Sequence, residues 1–312
     1  MMRTRYLIVL LPFLLAACAQ GDPLDTSGSE EAPTVEADAG TIVIGTANFP
    51  EAQIIGHIWA AALNDAGFEA TVAPGIGSRE VYLGALEEGT ITVVPEYAGN
   101  LASFYAELPE RADENAVRET LATSLPDTLE LGEFSPAESA DAYRVTAATA
   151  ERGIRTIADL DKLDRITIAA PPEFAERRYG PPGLTTVYGI DPDKITVRPI
   201  SDGGGPLTVQ ALAEGAADAA NIFTTSPAIT GKGEKPDLVI LDDPLHLIPP
   251  QNVVPVIRAG ELPPGALDVL NAIDAQLTTD DLAAMNQRNV GDERAEPGAI
   301  ARDWVDSVRA TR

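Results

Sequence analysis

Cysteine, histidine and aromatic residues are scarce in this chain of 312 residues. The single cysteine allows no intramolecular disulfide, and neither His57 nor His246 has a second metal ligand at a spacing typical of zinc sites. No G-x-S-x-G segment is present to supply a serine nucleophile. We therefore expect neither an enzyme nor a metal or cofactor site.

Basic residues are also few, since 22 lysines and arginines face 48 aspartates and glutamates and give a net charge of −26. A surface of this sign repels phosphate backbones and anionic lipid headgroups. Nucleic-acid binding and docking on a membrane through a basic face are therefore excluded as functions. The same surface attracts small cations.

A glycine run at residues 203–205 has two interpretations. Backbone N–H groups of such a run could hold an anion at the start of a helix. However, the lysine that follows the glycines in a phosphate loop is missing, so the sequence favours a flexible turn before a helix beginning near Leu207.

Long hydrophobic runs are absent except near the N-terminus, where Tyr6 to Leu15 follow Arg3 and Arg5. Ten residues are too few to span a bilayer, and the pattern is typical of a signal peptide, here residues 1–17. Residues 15–18 (L-A-A-C) resemble the lipobox of bacterial lipoproteins, which predicts lipidation of Cys18 and a membrane anchor on the extracytoplasmic side. An ordinary leader with an accidental cysteine is the alternative.

Residues 18–40 are rich in Gly, Pro, Ser, Thr and acids and contain no lysine or arginine. This composition predicts a disordered acidic tether. The body that follows alternates β-branched runs with amphipathic helices, for example a strand at residues 41–45, a helix at 51–65 and a helix at 173–179. Such alternation predicts an α/β fold with mostly parallel sheets.

Breaks in this alternation divide the body into two lobes. Polar and proline residues near 135–141 and again near 244–250 interrupt the pattern. We predict that residues 41–142 form the first part of lobe I, that 143–248 form lobe II, and that 249–312 return to lobe I. Two lobes joined by two crossing segments enclose a cleft that can close on a ligand by hinge motion.

Several aromatic residues fall where strands are predicted to end, which is where open α/β sheets bind their ligands. Tyr97 follows one strand, Phe223 ends another, and Asp141 and Tyr143 flank the first crossing. Because aromatic residues form only 5% of the chain, their placement suggests a ring-lined cleft. From spacing alone, however, packing in the core or at the rim is the favoured interpretation for each of them.

These residues also carry a family resemblance. Residues 44–51 (I-G-T-A-N-F-P-E) resemble the G-S-K-N-F-T-E-Q opening of the quaternary-amine-binding proteins of ABC importers, the receptors for glycine betaine, choline and carnitine. Further similar segments follow in order: 95–100 (P-E-Y-A-G-N), 173–177 (E-F-A-E-R), 187–189 (V-Y-G), 210–212 (Q-A-L), 223–225 (F-T-T) and 255–258 (P-V-I-R). The similarity extends from residue 42 to residue 304.

The resemblance implies a type II periplasmic-binding-protein fold whose cleft holds a trimethylammonium group in an aromatic box. It implies the following ligand-binding residues: Tyr97, Tyr143 and Phe223 as box walls, Asp141 as a nearby negative group, Arg177 as the anchor for a carboxylate, Asn100 in place of a threonine, Asn48 of the opening motif, and Gln251. Ring faces suit such a ligand because a quaternary ammonium has no N–H to donate.

Two positions depart from the family pattern. Ala47 stands in place of a lysine, and Gln251 followed by Asn252 stands in place of an aromatic residue. One cationic contact and one box wall are thereby lost, while amide groups are gained. We expect either weaker binding of betaine or a shifted ligand, such as a more polar cation or a betaine of the ergothioneine type.

The predicted function is that of a lipid-anchored solute receptor that delivers a quaternary amine to the permease and ATPase subunits of an ABC importer, acting as a monomer. Three alternatives stay open at this point. The cleft could hold another cation or zwitterion, the chain could be an extracytoplasmic enzyme, or it could be a sensory lipoprotein.

Overall fold

The computed structural model describes residues 40–310. The predicted signal peptide, Cys18 and the tether therefore lie outside the described residues, apart from Gly40. The strands are β1 Ile42–Ala47, β2 Ala70–Gly77, β3 Val93–Tyr97, β4 Leu129–Leu131, β5 Tyr143–Thr146, β6 Ile166–Ala170, β7 Ile195–Pro199, β8 Ala219–Asn221, β9 Leu238–Ile240 and β10 Val253–Arg258. The α-helices are α1 Pro50–Asp65, α2 Arg79–Glu88, α3 Ala98–Tyr105, α4 Glu114–Ser124, α5 Ala147–Glu151, α6 Pro181–Thr186, α7 Pro206–Ala213, α8 Ala266–Asp274, α9 Thr279–Val290 and α10 Pro297–Ala310.

Lobe I is built on a five-stranded mixed sheet in the order β2-β1-β3-β10-β4. Strand β1 is parallel to β2 and β3, whereas β10 is antiparallel to β3 and β4. All six residues of β1 are buried because both faces of the sheet are covered. Ile42 and Ile44 pack in a core with α1 and α8 to α10, while Val43 packs on the opposite face with α2 to α4.

Lobe II is built on a second five-stranded mixed sheet in the order β7-β6-β8-β5-β9. Strand β6 is parallel to β7 and β8, and β5 is antiparallel to β8 and β9. The two sheets have the same arrangement, since β1 and β6 are each the second strand of their sheet and lie between two parallel neighbours. The predicted fold class, two α/β lobes of the periplasmic-binding type, is confirmed.

The chain crosses from the first sheet to the second between β4 and β5, and it returns between β9 and β10. The two crossing segments pair with each other through an antiparallel bridge between Glu138 and Asn252. The Ser139 N–H also donates to the Gln251 carbonyl oxygen at 3.1 Å. The hinge between the lobes is therefore a short two-stranded ribbon.

The predicted helix at 173–179 is wrong in its extent. A 3₁₀ segment, Pro172–Glu176, ends before Arg177, and α6 begins only at Pro181. Proline lacks an N–H and disfavours helical backbone in the residue before it, so Pro181 separates the two segments. The break places Arg177 and Tyr179 in a turn near the other lobe.

Candidate functional site

A cavity of about 150 Å³ lies between the two lobes. It lies where the carboxyl ends of β1 and β3 in lobe I face those of β6 and β8 in lobe II, and its lining includes Asn48, Tyr97, Phe174 and Phe223. The connections that follow adjacent parallel strands turn to opposite faces of the sheet at these ends. A crevice is left between them. The volume is below the roughly 300–1,000 Å³ of drug-sized pockets, so the cavity suits a small metabolite.

Six aromatic side chains line the cavity, and both lobes contribute to them. They are Phe49, Tyr82 and Tyr97 from lobe I and Phe174, Tyr179 and Phe223 from lobe II. The Phe49 ring centroid lies 6.0 Å from that of Tyr97 and 5.3 Å from that of Phe223. The rings therefore form a continuous apolar wall that crosses from one lobe to the other.

Buried carboxylates fix the orientation of two phenol rings. The Tyr97 hydroxyl donates to Glu51 Oε1 at 2.7 Å, and the Tyr82 hydroxyl donates to Glu96 Oε1 at 2.6 Å. Burial raises the pKa of both hydroxyls well above the usual value. Because each hydroxyl is hydrogen-bonded to a carboxylate of the protein, what remains for a ligand is the ring surface.

The Glu51 carboxylate also connects the lobes. Its Oε2 accepts hydrogen bonds from Thr225 Oγ1 of lobe II and from Asn286 Nδ2 of α9, each at 2.5 Å. Thr225 is in turn bonded to Ser139 of the first crossing segment at 2.7 Å. This network is made only when the lobes are close together, so the structure represents a closed form.

A third carboxylate, Asp141, lines the cavity at the hinge and is 4% exposed. Its Oδ2 accepts from Asn100 Nδ2 at 2.7 Å, and its Oδ1 accepts from Asn221 Nδ2 at 3.0 Å. Burial raises the pKa of Asp141, although the two amide donors and the charge of Arg79 oppose this shift. The carboxylate is thus held by neutral partners from both lobes.

The arginines of the cavity are each engaged by a glutamate. Arg79 donates to both oxygens of Glu96, at 2.7 Å and 2.9 Å, within lobe I. Arg177 of lobe II donates to both oxygens of Glu80 of lobe I, at 2.7 Å and 3.1 Å. The Arg177 guanidinium, together with the surrounding backbone and Ser78 donors, lowers the pKa of Glu80 to about 2.

The glycine run at 203–205 is a turn that caps a helix and does not present an open anion site. Asp202 accepts hydrogen bonds from the backbone N–H groups of Leu207 and Thr208, at 2.7 Å and 3.2 Å, at the start of α7. Gly203 has a φ of +61°, and a Cβ there would lie 2.8 Å from the Cβ of Phe49. The position needs glycine because the lobes approach each other so closely at this point.

The comparison with protein families decides the identity. Residues 40–307 match the family of substrate-binding domains of ABC-type glycine betaine transport systems. The chain belongs to this family. As a member it is the extracytoplasmic substrate-binding protein of an ABC transport system for quaternary amines, and it is not an enzyme.

Individual relatives agree with the family assignment. A glycine-betaine-binding protein of Pseudomonas aeruginosa is 25% identical over 284 residues, which are 86% of this chain and 88% of the relative. The glycine betaine-binding protein YehZ of Escherichia coli is 24% identical over 280 residues, covering 86% and 90% of the two chains. The family member described here thus aligns with both along most of their length.

Solved structures of two quaternary-amine-binding proteins share the fold. A choline-binding protein in complex with choline has a TM-score of 0.65 at 16% identity, with 88% of this chain and 91% of that chain covered. The lactococcal OpuAC in complex with glycine betaine has a TM-score of 0.62 at 16% identity, with 86% and 96% covered. Among residues 40–310 no cluster of side chains could hold a metal ion, and no helix is long and apolar enough to cross a membrane.

Six of the eight ligand-binding residues predicted from the sequence of this family member line the cavity, namely Asn48, Tyr97, Asn100, Asp141, Arg177 and Phe223. Two do not. Tyr143 is fully buried in the core of lobe II, where its hydroxyl donates to the Tyr179 carbonyl oxygen at 2.6 Å. Gln251 is also fully buried, and its Nε2 donates to Asn100 Oδ1 at 2.8 Å.

The placement of Tyr143 has a physical reason. Strand β5 is antiparallel to β8, so β5 begins at the end of the sheet that borders the cavity. The Tyr143 ring turns into the core and packs against Phe174, with centroids 5.9 Å apart, while Phe174 and Tyr179 face the cavity in its place. Gln251 acts one step away from the cavity, because it orients Asn100 from behind.

Four aromatic residues and one arginine of the cavity were missed by the sequence analysis: Phe49, Tyr82, Phe174, Tyr179 and Arg79. A signal existed for Phe49 and Phe174, which lie within four residues of the ends of β1 and β6. The same signal existed for Arg79, which lies two residues after the end of β2, and Tyr82 lies on the same first turn of α2.

Proposed function

We propose that this protein binds a single quaternary-ammonium ligand in the cavity between its lobes. The observation that carries the proposal is the convergence of six rings from both lobes on a cavity of about 150 Å³. A methylated nitrogen cannot donate a hydrogen bond, and ring faces attract its positive charge with roughly 0.5–2 kcal/mol each. Several rings together would supply much of the ~8 kcal/mol of a micromolar complex.

The proposed roles follow from how each residue is held. Tyr97, Phe49 and Phe223 form walls for the methyl groups, because their rings line the cavity next to one another. Asn100 and Asp141 contact the polar part of the ligand at the hinge. Asn48 is an exposed residue at the rim.

Ligand binding favours the closed form because the walls belong to different lobes. A ligand shifts the equilibrium between open and closed forms only as far as it binds one of them better. Phe49 and Phe223 can contact one ligand together only when the cleft is shut, and the permease would recognise this shut form.

We also propose that the body is tethered to the extracytoplasmic face of the cell membrane by lipid at Cys18. The support is the apolar run followed by L-A-A-C at residues 15–18. Fractionation of cells that express the wild type and Cys18→Ser tests this proposal, with mass spectrometry of the mature N-terminus. Wild-type protein in the membrane fraction with an acylated Cys18, and release of Cys18→Ser, are expected. An unmodified N-terminus would contradict the anchor.

Isothermal titration calorimetry of the purified protein tests the ligand class. Glycine betaine, choline, carnitine, proline betaine and ergothioneine are titrated, with glycine and ethanolamine as controls that lack the methyl groups. We expect at least one methylated ligand to bind in the micromolar range and both controls to bind at least about a hundredfold more weakly, since ring faces contribute several kcal/mol. Absence of heat and of a thermal shift with every methylated ligand would exclude the proposed function.

A further inference from the structure

The positive groups that line the cavity are already neutralised by the protein itself. In the described part of the chain, the only cationic side chains in the lining are Arg79 and Arg177. Each forms a bidentate ion pair, Arg79 with Glu96 and Arg177 with Glu80. Because the pKa of Glu80 is lowered to about 2, its charge persists over the whole physiological range.

The backbone site for an anion near the cavity is also filled. Ser201 and Gly203, just before α7, line the cavity, and the N–H groups in the first turn of this helix have no partner within the helix and would attract a carboxylate. The side chain of Asp202 accepts from these N–H groups and from Thr208 Oγ1, at 2.6 Å. A carboxylate of a ligand would have to displace one of the protein's own.

Negative groups, by contrast, are left without a cation. Asp141 takes part in no ion pair among residues 40–310; its side-chain partners are the amides of Asn100 and Asn221, and Arg79, whose charge lowers its pKa, uses Nε and Nη2 on Glu96. Glu173 also lines the cavity and takes part in no ion pair among residues 40–310. The balance of charge around the ligand is therefore negative.

We infer that the cavity selects a quaternary amine that carries no carboxylate, an alcohol-type cation such as choline, over a zwitterionic betaine, and that Asp141 is the residue that sets this preference. The inference rests on the proposed function and narrows it to one charge class. The positive charge of a cation is attracted by Asp141, and this attraction is strong because the site has a low dielectric constant. The carboxylate of a betaine would lie among hydrogen-bond acceptors, with no unpaired positive group to bind it.

A neutral hydroxyl group of the ligand can accept a hydrogen bond from the one buried side-chain donor of the lining that has no partner within the described residues. Arg177 Nε is the one buried polar side-chain atom of the lining that has no hydrogen-bond partner within the described residues. A hydroxyl oxygen can accept from this N–H without needing the guanidinium charge, which Glu80 already balances. The same hydroxyl can donate to a carboxylate oxygen, which a second carboxylate cannot do.

Comparing the affinities of choline and glycine betaine tests the inference. Both molecules carry a trimethylammonium group, but choline has a hydroxymethyl group where glycine betaine has a carboxylate. Calorimetry of the wild-type protein is expected to give at least about tenfold tighter binding of choline, the size of a moderate charge-pair effect. Equal or tighter binding of glycine betaine would overturn the inference and leave the proposed function intact. Binding of neither, with no other methylated ligand bound, would overturn both.

Two variants probe the charges directly. Asp141→Asn should weaken choline about tenfold and reduce the preference over glycine betaine. Glu80→Gln releases Arg177 and should strengthen glycine betaine by about tenfold while choline gains nothing. Glu88→Gln, an exposed glutamate on the same helix α2, is the matched control and should leave both affinities as they are.

Thermal unfolding of each variant separates loss of charge from loss of fold. Because Asp141→Asn would place an amide N–H₂ against the amides of Asn100 and Asn221, this variant is the one at risk of misfolding. The half-exposed Glu80 is not, so its variant tests the balance of charge in the cavity, while the ratio of affinities in folded Asp141→Asn tests the role of Asp141. An unchanged ratio of choline to glycine betaine affinity in a folded Glu80→Gln protein would contradict the inference.

Discussion

The rings of Phe49 and Phe223 meet across the cleft, with centroids 5.3 Å apart at an angle of 51°. One ring belongs to lobe I and the other to lobe II, so the contact exists only in the closed form. Phe223→Ala should weaken the ligand about tenfold, because it removes one ring face and one contact of closure. Calorimetry measures this effect. Phe104→Ala, a change at an exposed ring of lobe I, is the control and should have no effect on affinity.

Two substitutions at Tyr97 separate the ring from its hydroxyl. Tyr97→Ala should weaken ligand binding about tenfold or more, because a desolvated ring face contributes about 1–2 kcal/mol. Tyr97→Phe keeps the ring and should leave affinity within about threefold, but it leaves Glu51 short of one donor and should lower the free energy of unfolding by about 1–3 kcal/mol. Calorimetry and urea unfolding measure the two quantities. A tenfold loss of affinity in Tyr97→Phe would mean that the hydroxyl, and not the ring, holds the ligand.

Rupture of the ion pair between Arg177 and Glu80 should favour the open form without ligand. Glu80 is 49% exposed at the side chain, so we expect a shift of below about 1 kcal/mol, or up to about fivefold in the ratio of closed to open molecules. Single-molecule FRET between one dye on each lobe of Arg177→Met measures this ratio. Lys194→Met, which breaks a similarly exposed pair with Asp161 inside lobe II, should leave it unchanged. A closed fraction that is the same in both variants would contradict a role in closure.

Stability should fall with rising pH because of Asp274. Burial raises the pKa of this carboxyl to about 8, and Trp59 Nε1 is its one hydrogen-bond donor among the described residues, at 2.6 Å. Below the unfolded pKa of about 4 both states hold the proton, and between about 4 and 8 only the folded state holds it. Unfolding thus releases a proton in this window, and the contribution of Asp274 to stability falls by at most about 1.4 kcal/mol per pH unit.

Asp274→Asn tests that assignment. The amide oxygen still accepts from Trp59 and cannot ionise, so this variant should lack the component of pH dependence that belongs to Asp274. Urea unfolding of both proteins at several pH values from 4 to 8 should give a growing difference in favour of the variant as pH rises. Parallel curves would show that the carboxyl has an ordinary pKa.

The sequence predicted the architecture and the region of the site for a definite reason. Parallel strands bring their carboxyl ends to one edge, so Tyr97 and Phe223 could be assigned to one cleft although 126 residues separate them. The family resemblance identified the same region through short segments at these strand ends. Asn100 was assigned through the resemblance alone, and Asp141 through the resemblance and its place beside the first crossing.

The sequence could not predict which way a side chain turns or which charge pairs with which. Tyr143 lies two residues after Asp141, yet its ring enters the core while Tyr179 lines the cavity. Glu80 lies 97 residues before Arg177, and no local pattern connects the two. Such pairings depend on how two separately folded lobes face each other, which spacing along the chain does not encode.

The amino-acid sequence by itself determined two α/β lobes, their order along the chain and the strand ends that carry the rings, because hydrophobic periodicity and chain reversals are local properties. Only the tertiary structure decided the balance of charge in the cavity. It paired Arg177 with Glu80 and left Asp141 between two amides, since electrostatic partners are set by distance in space, and the closure of the lobes sets that distance.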